Sequence, residues 1–272
     1  MMFAIQGDTV RLRHFFALFA ALLLATTLPA GAQKKSISSL GRIEPNNGVI
    51  RLSGPSGNGI TGAVIKELLV TEGDWVELGQ VLAYTDSYDL RKAEVSRLQA
   101  IFDNAQREMS RQSNLSKTSA TSKSIFDEAT MELSVANADL TAARARMELS
   151  VVRSPLRAQV LDIHTRPGER VDADGILELG QTDRMYAVAE VYETDITQVE
   201  VGQRARIIIP ALSKPASGTV ERIALKVGRL DVLGTDPIAK TDARVVEVFI
   251  LLDQSEVLSS LTNMQVEVEI LL

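Results

Sequence analysis

Between Asp86 and Ser150 the chain has neither proline nor glycine, and its apolar positions recur with a helical period. Phe126, Ala129, Leu133, Ala136, Leu140, Ala143, Met147 and Ser150 keep an unbroken alternation of three- and four-residue steps, the seam of a coiled coil. Val95, Leu98, Phe102, Ala105, Met109, Gln112 and Ser116 answer it on an earlier limb. Between them the polar, low-propensity stretch Ser116-Lys-Thr-Ser-Ala-Thr-Ser-Lys-Ser124 predicts a reversal, with Ser124 and Asp127 spaced as a capping box for the returning helix. Two limbs of about 25 to 30 residues would each extend roughly 40 Å at about 1.5 Å per residue.

On either side of this hairpin the pattern is short and extended, and the two sides resemble each other. Val64-Ile-Lys-Glu-Leu-Leu-Val-Thr-Glu-Gly73-Asp-Trp-Val76-Glu-Leu-Gly79 aligns with Val160-Leu-Asp-Ile-His-Thr-Arg-Pro-Gly168-Glu-Arg-Val171-Asp-Ala-Asp-Gly175 on Gly73 and Gly168. Each has an acidic residue next, a valine three positions on, and then a second turn glycine. One β motif is expected to be split in two, its halves meeting in space to hold the hairpin. The first half should have strands near Ala63 to Val70, Trp75 to Glu77 and Val81 to Thr85.

The flanks read as strand and turn. From Ser36 to Ile60, Pro45-Asn-Asn-Gly48 and Gly54-Pro-Ser-Gly-Asn-Gly59 punctuate short extended runs. Beyond the second half motif, Met185 to Val191, Gln203 to Ile209, Gly218 to Lys226, Val245 to Leu252 and Gln265 to Leu271 are strand candidates, with helical turns at Glu193 to Val199. Several short strands and a small helix predict a β-barrel, with a Gly/Asp/Pro-rich loop around Gly228 to Asp242.

Composition narrows the function. At 272 residues, 45% hydrophobic and 24% charged, the chain can fold into two or three modest domains. A net charge of -6 gives no overall basic field for duplex nucleic acid. Absence of cysteine removes disulfides, thiolate ligands and a cysteine nucleophile together. Arg11 and Arg13, the apolar run Phe15 to Leu28 and Ala30-Gly-Ala32 form a signal peptide with cleavage before Gln33, the alternative being an uncleaved anchor. The run falls short of the roughly 20 residues a spanning helix needs.

No catalytic constellation emerges. Of the two histidines, His14 lies in the signal and His164 stands alone on a strand, where a surface role outweighs a metal site. Glu169, Asp172 and Asp174 are turn acids without calcium-loop spacing, and Gly54 to Gly59 lacks the ending of a phosphate loop. Trp75 is read as a cover for the small β unit rather than a binding aromatic. The chain is expected to be no enzyme and to need no cofactor or metal.

The order of elements resembles the HlyD-type periplasmic adaptors, or membrane fusion proteins, of bacterial tripartite exporters. Gly41-Arg-Ile-Glu-Pro45 and Leu261-Thr-Asn-Met-Gln-Val-Glu-Val268 are similar to the DevB-like subgroup serving ABC exporters. The resemblance implies a mostly-β α+β fold: a split biotinyl/lipoyl-like β-sandwich with an inserted antiparallel α-helical coiled-coil hairpin, followed by a β-barrel. It divides the chain into a signal peptide (1–32), N-terminal strands (33–60), two lipoyl-like halves (61–86 and 151–181) around the hairpin (87–150), and a barrel (182–272). Since the last strand candidate ends at Leu271, any further membrane-proximal domain is expected to be absent or reduced to the strands between Ser36 and Leu52.

The implied partners are an inner-membrane ABC transporter, or alternatively an RND pump, a TolC-like outer-membrane channel, and further copies in a hexameric or trimeric ring. The implied location is the periplasm, at the inner membrane. The family's tip pattern, Arg, then Leu four later, then Ser seven after, falls on Arg111, Leu115 and Ser122, where periodicity independently sets the reversal. Two other classes compete. A lipoyl or biotin carrier would need a lysine on the turn that the hairpin replaces, and a non-transport envelope scaffold would not dock a channel through the tip.

Overall fold

Ninety-five residues apart, two glycines make the same hydrogen bond into each other's half of the repeat. The Gly73 N–H donates to the Val160 carbonyl at 2.8 Å and the Gly168 N–H donates to the Ile65 carbonyl at 2.7 Å. The return bonds match as well, Val160 N–H to Asp74 O and Ile65 N–H to Glu169 O, both at 2.9 Å. Each turn is pinned by its own acid: Asp74 accepts from the Thr71 N–H and Glu169 from the Arg166 N–H, both at 2.8 Å. Both glycines have φ +90°, a conformation that costs an L side chain strain, which is why the repeat keeps glycine there. The split motif is therefore one exchanged unit with approximate two-fold symmetry.

The computed structural model describes residues 35–54, 62–118, 120–229 and 244–272. The signal peptide expected at 1–32 and nearly all of the loop expected around 228–242 lie outside them. In chain order the elements are β1 (Ser36–Leu52), β2 (Ile65–Leu68), β3 (Trp75–Val76), β4 (Val81–Thr85), α1 (Tyr88–Lys117), α2 (Lys123–Glu148), β5 (Val151–Arg153) and β6 (Ala158–Ile163). There follow β7 (Leu177–Tyr192), a 3-10 turn (Ile196–Gln198), β8 (Arg204–Ile208), β9 (Ala216–Arg229), β10 (Arg244–Leu252), α3 (Ser255–Leu258) and β11 (Gln265–Leu271).

The expectation of a sandwich followed by a separate β-barrel is corrected. One eight-stranded sheet runs β1-β11-β8-β9-β10-β7-β6-β3, and a three-stranded sheet runs β2-β4-β5. The large sheet curls until β1 bonds β7 as well as β11, but β7 carries β6 and β3 onward to a free end, so the sheet as a whole is not a closed barrel. The cause is strand length. β1 has 17 residues and β7 has 16, long enough for each to serve both halves of the β structure.

Along β7, Leu177 and Leu179 enter a core with Ile65, Val76, Leu82, Val152, Val160 and Ile176, between the two sheets. Met185, Ala187, Ala189 and Val191 enter the other core, inside the curl, with Ile43, Ile207, Val220, Val248, Ile250 and Val268. All six β7 residues keep one parity, so a single alternating strand feeds both cores. Full burial of each Val, Leu or Ile is worth about 1.5–3 kcal/mol. Pro45-Asn-Asn-Gly48 is not a break between strands but a bulge inside β1, where the pairing slips between Pro45 and Val49 and Asn47 and Gly48 take positive φ.

The N-terminal strand is locked from outside as well. Arg42 on β1 reaches Glu190 on β7 at 3.1 Å and Glu247 on β10 at 2.8 Å, and Glu190 and Glu247 are direct cross-strand partners. One guanidinium thus holds two like charges that would otherwise face each other. Trp75 is exposed at 42%, with the Arg157 guanidinium 4.6 Å from its ring centre.

Candidate docking site at the hairpin tip

The helical pattern positions the site. α1 has 30 residues and α2 has 26, lengths of about 45 and 39 Å at about 1.5 Å per residue. Leu98 and Ala105 on α1, and Ala129, Ala136, Leu140 and Ala143 on α2, are the buried members of the predicted seam. Small alanines let the helices approach closely. Polar side chains cross-tie the limbs: Arg144 donates to Gln99 Oε1 at 2.6 Å, and the Thr130 hydroxyl lies 3.4 Å from Met109 Sδ. At the base, the Thr85 N–H donates to the Ser150 carbonyl at 3.0 Å, so chain entry and exit are clamped together.

At the far end, Leu115 closes the first limb. Its carbonyl accepts from the Thr118 N–H at 3.1 Å, the Ala120 N–H at 2.9 Å and the Thr118 hydroxyl at 3.0 Å. The second limb starts at Ser122, whose hydroxyl accepts from the Ile125 N–H at 3.3 Å. The capping residue is thus Ser122 and not Ser124, because helix α2 begins one residue after Ser122, at Lys123.

Of the three residues that the tip pattern singles out, Arg111 and Leu115 are exposed on α1, at 66% of the side chain and 37% of the residue. Four residues apart, they share one helix face. Arg111 pairs with Glu108 at 2.9 Å. Ser122 is exposed too, but its hydroxyl is engaged as the cap.

Sequence reasoning missed the residues that hold this tip. Gln112, read only as a seam position, donates to Glu108 Oε1 at 2.7 Å and accepts from the Thr121 hydroxyl at 2.7 Å. Glu108 therefore orients both Arg111 and Gln112, and Gln112 ties the first limb to the turn that leads into the second. A polar residue in an apolar seam was the available signal, since such a residue commonly sets register.

Elsewhere, His164 sits between Asp162, 3.8 Å from Nδ1, and Glu178, 3.4 Å from Nε2, and is partly buried rather than a free surface residue. Among the described residues no group of three or more His, Cys, Asp or Glu could hold a metal ion. None of the described helices is long and apolar enough to cross a membrane.

Residues 87–150 match the family RND MFP, alpha-helical hairpin domain. Over 169 residues the chain is 27% identical to the multidrug efflux pump subunit AcrA of Escherichia coli, in strain K12 and equally in O157:H7, covering 60% of this chain and 42% of AcrA. The chain thus spans less than half the length of the curated relatives it matches.

In fold it is similar to a MacA–MexA chimera carrying the Pseudomonas aeruginosa MexA alpha-hairpin domain, with TM-score 0.69 and 21% identity over 89% of this chain and 83% of that one. It is also similar to the membrane fusion protein Spr0693 of Streptococcus pneumoniae R6, with TM-score 0.60 and 17% identity over 86% of this chain and 98% of that one. The fold is therefore one shared with membrane fusion proteins. The expected DevB-like, ABC-linked subgroup is overturned: the hairpin matches the RND-linked adaptor hairpin, and the sequence match falls on a multidrug efflux pump subunit.

Proposed function

We propose that this chain is the periplasmic adaptor subunit of a tripartite efflux system, linking an inner-membrane RND-type pump to a TolC-like outer-membrane channel. It catalyses no reaction. The observation that carries this reading is the match of residues 87–150, the whole hairpin, to the RND adaptor hairpin, on a chain whose fold is that of membrane fusion proteins. In this reading export through the N-terminal signal, cut before Gln33, brings the chain to the periplasm. The hairpin extends from the repeat unit toward the channel, and Arg111 and Leu115 touch the channel while Ser122 holds the returning helix in place. Single tips offer little area, so a ring of copies supplies avidity.

The test is a photo-cross-linking residue at position 115 in living cells, with identification of the captured protein. Capture of an outer-membrane channel is the expected result. Capture of only its own copies, or of nothing, would leave a non-transport envelope scaffold as the better reading.

A further inference from the structure

Strand β10 contains two cross-strand pairs of like charge, and the structure treats them differently. Glu247 faces Glu190, and Arg42 bridges them. At the other end of β10, Arg244 faces Arg229 on β9 as its direct partner. Neither arginine takes part in any ion pair or side-chain hydrogen bond of the described residues. Two cations directly opposite each other destabilise an antiparallel pair, and among the described residues no carboxylate pairs with either of them.

The surroundings say what kind of anion fits. Val246 pairs with Val227 and Val248 with Ile223, so Ala224, Leu225 and Lys226 bulge out of β9 opposite the single residue Glu247. At the bulge Leu225 is fully exposed, at 105%, and Val227 is 49% exposed. Lys226 adds a third cation with no ion pair among the described residues. Glu193 bonds Arg244 only through its backbone, its N–H donating to the Arg244 carbonyl at 3.1 Å.

We propose that this end of the β9–β10 ribbon docks on an anionic phospholipid surface, Arg229, Arg244 and Lys226 taking the headgroup phosphates and Leu225 and Val227 entering the acyl boundary. Juxtaposed cations and exposed apolar side chains are the physical requirements for binding at such an interface. A free phosphate would satisfy the arginine pair but give Leu225 and Val227 nothing to bury against. This inference does not depend on the adaptor reading or on the docking role of the hairpin tip.

The chain has no cysteine, so Leu225→Cys places a single label where no packing is disturbed. An environment-sensitive fluorophore there should shift to the blue and brighten on phosphatidylglycerol-containing vesicles, and not on phosphatidylcholine vesicles or with inorganic phosphate. Because the readout is local, a retained N-terminal apolar segment would not produce it. Adding Arg229→Glu sets opposite charges face to face with Arg244, so folding should hold or improve by thermal melting while half-saturation on anionic vesicles weakens at least roughly tenfold. No response to anionic vesicles, or an unchanged one in Arg229→Glu, would overturn the proposal. A response to phosphate alone would overturn it in favour of a small-anion site. A response only to membranes containing the pump would do so in favour of an acidic protein surface.

Discussion

The Thr121 hydroxyl donates to the Gln112 side-chain carbonyl at 2.7 Å, tying the first limb of the hairpin to its reversal. Gln112 in turn donates to Glu108, which also holds Arg111, so the exposed arginine and the turn belong to one hydrogen-bonded unit.

Replacing Gln112 with Leu should therefore separate stability from presentation. A leucine continues the apolar seam, so the thermal melt of the hairpin should change by no more than about 1 kcal/mol, since a hydrogen bond nets about that much. Cross-linking from position 115 should fall. Unchanged cross-linking with unchanged stability would show that the Gln112–Thr121 tie does not position the tip.

Arg42→Met should be among the most destabilising changes on the sheet surface. It removes the guanidinium between Glu190, 2% exposed, and Glu247, its cross-strand partner. Loss of about 3 kcal/mol in urea unfolding is expected, as for a partner withdrawn from a largely buried charge. The double variant Arg42→Met with Glu247→Gln should recover part of it.

Gly73→Ala and Gly168→Ala should cost the same. Both glycines sit at φ +90° with nothing within 4 Å of an added Cβ, so only backbone strain is charged, roughly 1–2 kcal/mol each. Equal shifts of the urea midpoint would support the approximate two-fold symmetry seen in their reciprocal bonds, and a much larger effect at one position would break it.

Acid should weaken the curled sheet through Asp253 and Glu221. The Arg204 guanidinium, then the Ser217 hydroxyl, hold the Asp253 carboxyl below the usual carboxylate range. The Tyr186 hydroxyl, then Arg184, do the same for Glu221. Each binds fewer protons folded than unfolded above its depressed value, so its contribution is complete above the ordinary carboxylate range and disappears as pH falls through the depressed one. Both groups are largely exposed, so the effect is modest. Asp253→Asn should lower stability at neutral pH and flatten the acid limb of a stability–pH curve.

Much of this architecture was legible along the chain because local periodicity carried it. The three- and four-residue steps from Phe126 to Met147, and the polar run after Ser116, need no distant information to predict a helical hairpin with its reversal. The match of Gly73 with Gly168 likewise placed the repeat, since a turn at φ +90° demands glycine in each copy. The cap was misplaced by two residues because Ser122 and Ser124 are equally good caps in isolation. The docking roles proposed for Arg111, Leu115 and Ser122 rest on a family pattern and not on local periodicity.

What the amino-acid order determined by itself is the helical hairpin and most of the strand segments, that one β motif is split, and where the hairpin turns. Those depend on side-chain alternation and turn stereochemistry, which act over a few residues. Only the tertiary structure decided that β1 and β7 run on through both cores, so that the sheet curls without closing as a whole, and that Arg42 neutralises one like-charge pair while Arg229 and Arg244 are left facing each other. Strand partners, register and the meeting of charges 15 to 205 residues apart are fixed by packing across the sheet, and nothing in a single strand encodes its neighbour.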